Sequence, residues 1–373
     1  MKVSEAKGLF FKVAGKEDDE SLRKLSREVF LPGWIRLSFE REPNFFDGAL
    51  AEGFSHQTLM ASRGAGGEAV AMISRSIRKA YLNGVEEPLG YLHQLRFKPG
   101  LSEGGMILRG GARRLREFHR DHKTRIYLVS LVEGNSTAER IFKSGLKGFP
   151  FWKPLESFST LLLTGKSKNL PVRADKSIQW ERGSPESMDE TAEFLNRQNI
   201  RFQLAPLWTG EDLTSRCTGL KPADFLLARQ GGRIIACAAL WDQRGFKQNV
   251  VRGYAPGTVF LRPFYNLFAR WKGLPLLPPV GAILGQTYIS HLAAAEDDSS
   301  VVVSLLLELF REKNSGPIML GLASRHPFLV AVRKAFCSIE YRSLLGVMGW
   351  EEEDRKTVEA LDQRVVQAEA ALL

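Results

Sequence analysis

The sequence predicts an α+β protein made of two tandem copies of one domain, each a mixed, mostly antiparallel sheet flanked by helices. Three observations predict it. Two hairpins share one design: residues 58–62, a glycine turn at 64–67 and residues 68–73 in the first half; residues 224–230, Gly231-Gly232 and residues 233–240 in the second. Their starts, Thr58 and Asp224, lie 224 − 58 = 166 residues apart, about one domain length, whereas a repeat of roughly 20–50 residues would mean a solenoid. Between them residues 164–176 are polar and free of apolar periodicity, which reads as a linker. The expected domains are residues 1–164 and 177–350, joined by 165–176 and followed by a helical tail, 351–373.

The elements follow in the same order twice. In the first half residues 9–13 read as a strand, and Leu22, Leu25, Val29 and Phe30 mark an amphipathic helix over 20–30. The hairpin comes next, then a central strand over 89–97, a glycine loop and a helix running through His119. A strand over 126–132, a helix over 136–143 and a closing strand over 157–163 complete the unit. After the linker, residues 177–180 read as a strand and 187–197 as a helix. The second hairpin and a strand over 284–292 follow, then a helix over 299–313 and a strand over 317–322. A helix over 327–336, with Pro327 in its first turn, and a strand over 341–347 finish the chain's second unit. One apolar segment, 260–279, has no counterpart in the first half. It is expected to be a core-packing insertion, with cover over a substrate groove as the other reading.

Composition bounds the function. An apolar fraction of 44% and a charged fraction of 25% suit a soluble globular protein, and no apolar run approaches the ~18 residues of a membrane span. No signal-peptide core follows Met1, and Cys217, Cys237 and Cys337 are scattered without metal or redox spacing. A cytoplasmic, reduced protein with no membrane partner and no metal is expected. Residues 1–175 hold 29 Lys and Arg against 20 Asp and Glu, and residues 176–373 hold 23 against 22, so +9 of the net +10 lies in the first half. That half suits a polyanionic partner, with a merely solubilising surface as the alternative.

The element order resembles the GNAT superfamily of acyl-CoA N-acyltransferases, and the chain looks like a tandem GNAT protein. The residues that carry the resemblance lie between Tyr91 and Phe149. In the loop after the central strand, Lys98-Pro-Gly-Leu-Ser-Glu-Gly-Gly-Met-Ile, the family's pyrophosphate pattern falls either on Ser102, Gly105 and Ile107 or on Leu101, Gly104 and Met106. One of three positions matches in either register. Downstream, Asn135-Ser-Thr-Ala138 through Phe142 resembles the family's strand-to-helix segment. Arg109, Arg113, Arg116 and Arg120 recur at i, i+4, i+7 and i+11, one stripe of the helix after the loop, where arginines suit phosphate groups or simply a solvated face.

The resemblance implies acetyl-CoA, or another acyl-CoA, as cosubstrate and an amine as acceptor. It places Leu95, Phe97, Ser102, Gly104, Gly105, Met106, Arg109, Arg113, Asn135 and Phe142 at the cofactor. Phe142 stands where the family often has a tyrosine acid, which leaves Tyr127 and Tyr91 as the nearby phenols. His93 and Gln94, on opposite faces by strand alternation, are the candidates for the base. The second half offers Tyr288 and His291 on its matching strand, but its loop carries Glu296, Asp297 and Asp298 and would repel CoA. Two other readings stay open: a non-catalytic binding or assembly module, and a transferase using aminoacyl-tRNA, for which no nucleic-acid motif is present.

Overall fold

The computed structural model describes residues 4–6, 8–31, 33–134, 141, 148–167, 177–272, 276–284, 287–312 and 318–373. Runs rich in β-branched and apolar residues pair into strands, and amphipathic segments between them form helices. The first half contributes β1 (Ser4–Ala6), β2 (Leu9–Val13), α1 (Asp19–Glu28), β3 (Phe30–Leu31), β4 (Ile35–Glu40), α2 (Ala49–Glu52), β5 (Ser55–Arg63), β6 (Ala69–Leu82), β7 (Val85–Phe97), α3 (Gly104–His119), β8 (Tyr127–Val132) and β9 (Phe151–Lys166). The second contributes β10 (Gln179–Arg182), α4 (Met188–Asn199), β11 (Ala205–Pro206), β12 (Phe225–Gln230), β13 (Arg233–Trp241), β14 (Gln248–Tyr254) and α5 (Pro256–Lys272). It continues with β15 (Thr287–Ala294), α6 (Ser299–Glu312), β16 (Ile318–Ala323), α7 (Leu329–Ala335), β17 (Phe336–Gly349) and α8 (Glu352–Glu359). The helix expected over 136–143 lies outside the described residues except for Ile141.

One large mixed sheet runs through both halves in the order β1-β2-β5-β6-β7-β8-β17-β9-β16-β15-β13-β12-β10. Each half builds an antiparallel meander whose last pair is parallel: β7 beside β8, and β15 beside β16. Each meander is then closed by the other half's final strand. β17 lies antiparallel to β8, with Leu344 opposite Leu131, and β9 lies antiparallel to β16, with Leu161 opposite Leu320. β9 and β17 pair with each other at the centre. The exchange puts Leu161 and Leu163 into the core of the second half, and Leu345 and Val347 into that of the first.

Helices cover both faces. α3 buries Ile107, Leu115 and Phe118, and Gly110 lets it close on the sheet, because a Cβ there would meet the Phe11 ring at 2.4 Å. α6 supplies the fully buried Val302, Leu305, Leu306 and Leu309. A second, three-stranded sheet, β14-β4-β3, joins the halves through antiparallel pairing of β4 with β14. After α8 the chain is no longer helical for the most part; Val366, Ala368, Ala370 and Ala371 are buried instead.

The described part of the apolar segment, residues 260–272 and 276–279, does not pack into the core as a whole. Its helix α5 leaves Phe260, Phe264, Leu267 and Trp271 at 71–77% exposure, while Arg262 and Asn266 are held against the protein by hydrogen bonds to the Leu277 backbone. The polar side of this helix faces inward. Hydrophobicity alone could not reveal that, since the pattern of an inverted helix is the pattern of an ordinary one.

Candidate active site

β7 pairs with β8 at only two positions, Gly90–Tyr127 and Tyr91–Leu128, although β7 runs on to Phe97 and β8 to Val132. Gly90 is required at the first of them, because a Cβ would lie 2.2 Å from the Tyr127 ring. Beyond Tyr91 the two strands part. On the other side of β7 the register with β6 jumps between Met72–Arg96 and Ser74–His93, a bulge in which Gln94 adopts φ +56°. A left-handed conformation at a non-glycine residue costs about 1–2 kcal/mol and is kept only where the surroundings dictate it. The bulge breaks the strand alternation on which His93 and Gln94 were assigned to opposite faces. Gln94 instead accepts from Arg96 through its side-chain oxygen, at 3.0 Å, and Arg96 in turn donates to the carbonyl of Phe39 on β4 at 3.1 Å.

The second half repeats this construction. Among the described residues β15 and β16 pair at Thr287–Ile318 and Tyr288–Met319, and the β13–β15 register jumps where His291 has φ +54°. Tyr288 therefore stands at the place of Tyr91, and His291 at that of Gln94 rather than of His93. Here the chain's own C-terminal residues cross the parted strands, around a small cavity lined by Trp208, His291, Leu320, Ala368 and Glu369. The backbone N–H of His291 donates to Glu369 at 2.9 Å, the Trp208 ring lies 4.2 Å from the His291 ring, and Ala370 sits against Gly321. The start of α6 is filled as well: Asp298 accepts from the backbone N–H groups of Ser300 and Val301 at 2.8 and 3.2 Å.

At the mouth of the first cleft α3 begins at Gly104. Gly104 and Gly105 have helical backbones, and no protein atom lies within 4 Å of a Cβ built on either. Neither residue is glycine for the sake of the protein's own packing. Glu103 precedes them, paired with Arg63 at 3.0 Å and accepting from Ser102 Oγ at 3.0 Å. Ser102 is exposed and Met106 half-buried against the α3 core. Of the arginine stripe, Arg109 and Arg113 are exposed, whereas Arg116 is held by both oxygens of Glu351 at 3.0 and 3.2 Å. Leu95 is exposed at the bulge and Phe97 is half-buried. Asn135 and Phe142 lie outside the described residues.

Tyr91 and His93, two residues apart, share the face of β7 turned towards the second half, and their rings stack in parallel at 4.8 Å. His93 Nε2 lies 2.8 Å from Ser76 Oγ, which is 3.0 Å from His56 Nδ1; that nitrogen is 2.9 Å from Glu52 Oε2. Glu52 also pairs with the buried guanidinium of Arg41. Carboxylate, imidazole, hydroxyl and imidazole thus form one hydrogen-bonded chain, with all four side chains nearly or fully buried. Lys247 reaches the same region from the second half and donates to the carbonyl oxygens of Ala371 and Leu373 at 3.3 and 2.9 Å.

The electrostatics of the cluster follow from its burial. Burial is the largest influence on His93 and pushes it down to about 3, against the pull of Glu52, so the imidazole is neutral. Burial alone would raise Glu52, but the Arg41 guanidinium and the hydrogen bond from His56 hold it well below the usual carboxylate range. Tyr91 is pushed up by burial and Lys247 is lowered by burial to about 8. The donor atoms of Glu52, His56 and His93 all lie within 4.8 Å of one another, close enough for one cation. The Arg41 guanidinium already neutralises that carboxylate and would repel a cation beside it. The structure brings the sequence candidates Tyr91 and His93 together with Glu52, His56, Ser76, Arg41 and Lys247, which the sequence did not single out. Glu52 and His56 are four residues apart but straddle the end of α2 and the start of β5, so no helical or strand period links them.

A scan against protein-family models gives no match, and a comparison with curated proteins gives none. Among solved structures, Saccharomyces cerevisiae N-myristoyltransferase with bound myristoyl-CoA superposes over 94% of this chain and 80% of its own, at TM-score 0.60 and 12% identity. A structure of the yeast enzyme with myristoyl-CoA and inhibitors superposes over 98% and 88%, at TM-score 0.59 and 12% identity. A GCN5-related N-acetyltransferase from Sphaerobacter thermophilus superposes over 78% and 79%, at TM-score 0.49 and 14% identity. At these identities the likeness is one of fold: the chain has the two-halved, GNAT-like fold that the N-myristoyltransferases have.

Proposed function

We propose that the protein is an N-acyltransferase that takes an acyl group, acetyl in the simplest case, from acyl-CoA and transfers it to a primary amine. The observation that carries this reading is the parting of β7 from β8 after Tyr91, bulged at Gln94 and leading to the helix start at Gly104 and Gly105, where a Cβ would meet open space. Strands that part leave backbone donors facing the gap, and the first turn of α3 offers N–H groups and a positive dipole end to an anion. The superposed yeast structures hold myristoyl-CoA, and the corresponding cleft of the second half is plugged by its own chain.

In the reaction the amine nitrogen forms a bond to the thioester carbonyl carbon, the C–S bond breaks, and the sulfur leaves as thiolate. A thiol with an unperturbed pKa near ~8.5 needs little help to leave. Bulge N–H groups polarise the carbonyl oxygen, and the His93–Ser76–His56–Glu52 chain takes the proton that the ammonium intermediate loses. Burial makes His93 a weak base by itself; the Glu52 charge behind it stabilises the imidazolium as it forms. Glu103 at the cap of α3 favours a second reading, a binding module that does not turn over, since a carboxylate opposes a pyrophosphate there.

The two are separated by following free-thiol release from acetyl-CoA and myristoyl-CoA against a panel of primary amines, with calorimetry on both thioesters alongside. Amine-dependent thiol release is expected. Stoichiometric binding with no release for any amine would transfer the weight to the binding module, and no binding at all would remove both.

A further inference from the structure

We propose that α5 and the loop after it seat the protein on an anionic membrane surface, with the helix lying in the plane of the interface. A surface helix of a soluble protein turns its apolar stripe inward. This one is inverted. Its inward side is Arg262, Asn266 and the buried Ala269: Arg262 Nε and Asn266 Nδ2 donate to the Leu277 carbonyl at 3.1 and 3.0 Å, and Leu277 N–H donates to Asn266 Oδ1 at 2.8 Å. Its outward side is Phe260, Leu261, Phe264, Leu267, Phe268 and Trp271, every one exposed. The loop adds exposed Val280 and Ile283, and Trp34, whose carbonyl accepts from Ala255 N–H at the helix start, adds a further exposed indole. These form one apolar and aromatic surface on the small sheet that joins the halves.

Charge identifies the occupant. From residue 243 to residue 295 there is no Asp or Glu; of the basic residues there, Arg244 and Arg252 pair with Asp242 and Glu40, Lys247 and Arg262 turn inward onto backbone carbonyls, and Arg270 stands exposed on the helix. At the chain's average of 42 acidic residues in 373, a stretch of that length would hold about six. A second copy docked about a two-fold axis would set the exposed Arg270 near its own counterpart, with no acidic residue in 243–295 to offset it. Anionic headgroups supply the counter-charge, and phenylalanine and tryptophan are the side chains that settle at the boundary of headgroups and acyl chains. The helix, Pro256–Lys272, is about 25 Å long at ~1.5 Å per residue, shorter than the hydrocarbon core, and no described helix is long and apolar enough to cross a membrane. It fits along the surface.

The test is flotation of the full chain with vesicles of phosphatidylcholine alone and with about 30 mol% phosphatidylglycerol, a composition that gives a negative surface potential. Binding at least tenfold tighter to the anionic vesicles is expected, with a blue shift of tryptophan fluorescence. The triple variant Phe260→Ser, Phe264→Ser, Trp271→Ser should lose binding, and its melting temperature should stay unchanged because these side chains face outward. Arg270→Gln with Lys272→Gln should abolish the preference for anionic vesicles. No vesicle binding, or equal binding by the triple variant, overturns the proposal. So does a lipid-free dimer that the triple variant dissociates, which would assign the surface to a second copy.

Discussion

His93 is the residue on which the proposed chemistry turns, because it joins the strand that parts from β8 to a buried carboxylate through Ser76 and His56. If it accepts the amine proton, His93→Gln should lower kcat by about 10²-fold or more and leave KM for the thioester nearly unchanged. An equal loss in kcat and melting temperature, restored by low temperature, would make it a packing residue only. Its burial also has a consequence for stability. Burial holds His93 and His291 down to about 3 and His326 to about 4, so all three are neutral in the fold. In the unfolded chain each takes a proton below about pH 6.5. Their contribution is therefore complete above pH ~6.5 and is lost as pH falls towards the folded values. Glu369 has the opposite sign: burial raises it to about 6, so its contribution is present below about 4.5 and lost as pH rises through 6. Three shifts downward outweigh one upward. Denaturant midpoints should fall between pH 6.5 and pH 4, and His326→Gln should flatten that fall.

At the scale of elements, the loop glycines separate ligand binding from folding. Gly105 sits exposed in the first turn of α3 with open space where a Cβ would go. Gly105→Val should weaken CoA binding by roughly tenfold, on the order of 1.4 kcal/mol, because the side chain would fill the space an anion approaches. The melting temperature should not drop, since no protein atom is displaced. Wild-type affinity in this variant, measured by calorimetry, would reduce the turn to a simple helix start. The elements themselves were legible: the hairpins at 58–73 and 224–240, the central strands, and the helices after them each carry a local period or a glycine turn. What was not legible depends on partners distant in sequence. The bulges at Gln94 and His291 look like uninterrupted strand, because a bulge is a property of two paired strands. The pairing of β4 with β14 joins residues some 214 positions apart, Ser38 with Glu40 on one side and Arg252 on the other, and no local pattern announces it. The buried candidate cluster was half visible for the same reason: Tyr91 and His93 lie on one strand, whereas Glu52, His56, Ser76 and Lys247 reach them only through the fold.

For the molecule as a whole, the exchange of closing strands decides whether the two sequence repeats are independent domains. Leu161 and Leu163 of β9 are fully buried among Leu226, Ala236, Ile289 and Leu320, all from the second half. Leu345 and Val347 of β17 are fully buried with Leu82, Leu89, Ile126 and Leu128 of the first. Burying one such side chain contributes about 1.5–3 kcal/mol, so the four together approach ~10 kcal/mol, comparable with the ~5–15 kcal/mol that holds a domain folded. A fragment ending at Ser167 would keep β9 with nothing to pair it and would leave β8 as an open edge; a fragment starting at Ser177 would do the same with β17 and β16. Neither fragment should show a cooperative thermal transition when expressed alone. Expressed together they should co-purify one to one and melt close to the intact chain, because β9 and β17 pair along their whole length and carry the recognition themselves. A cooperative transition in either isolated fragment would mean that its sheet closes without the exchanged strand, and that the central β9–β17 pairing is a contact between finished domains.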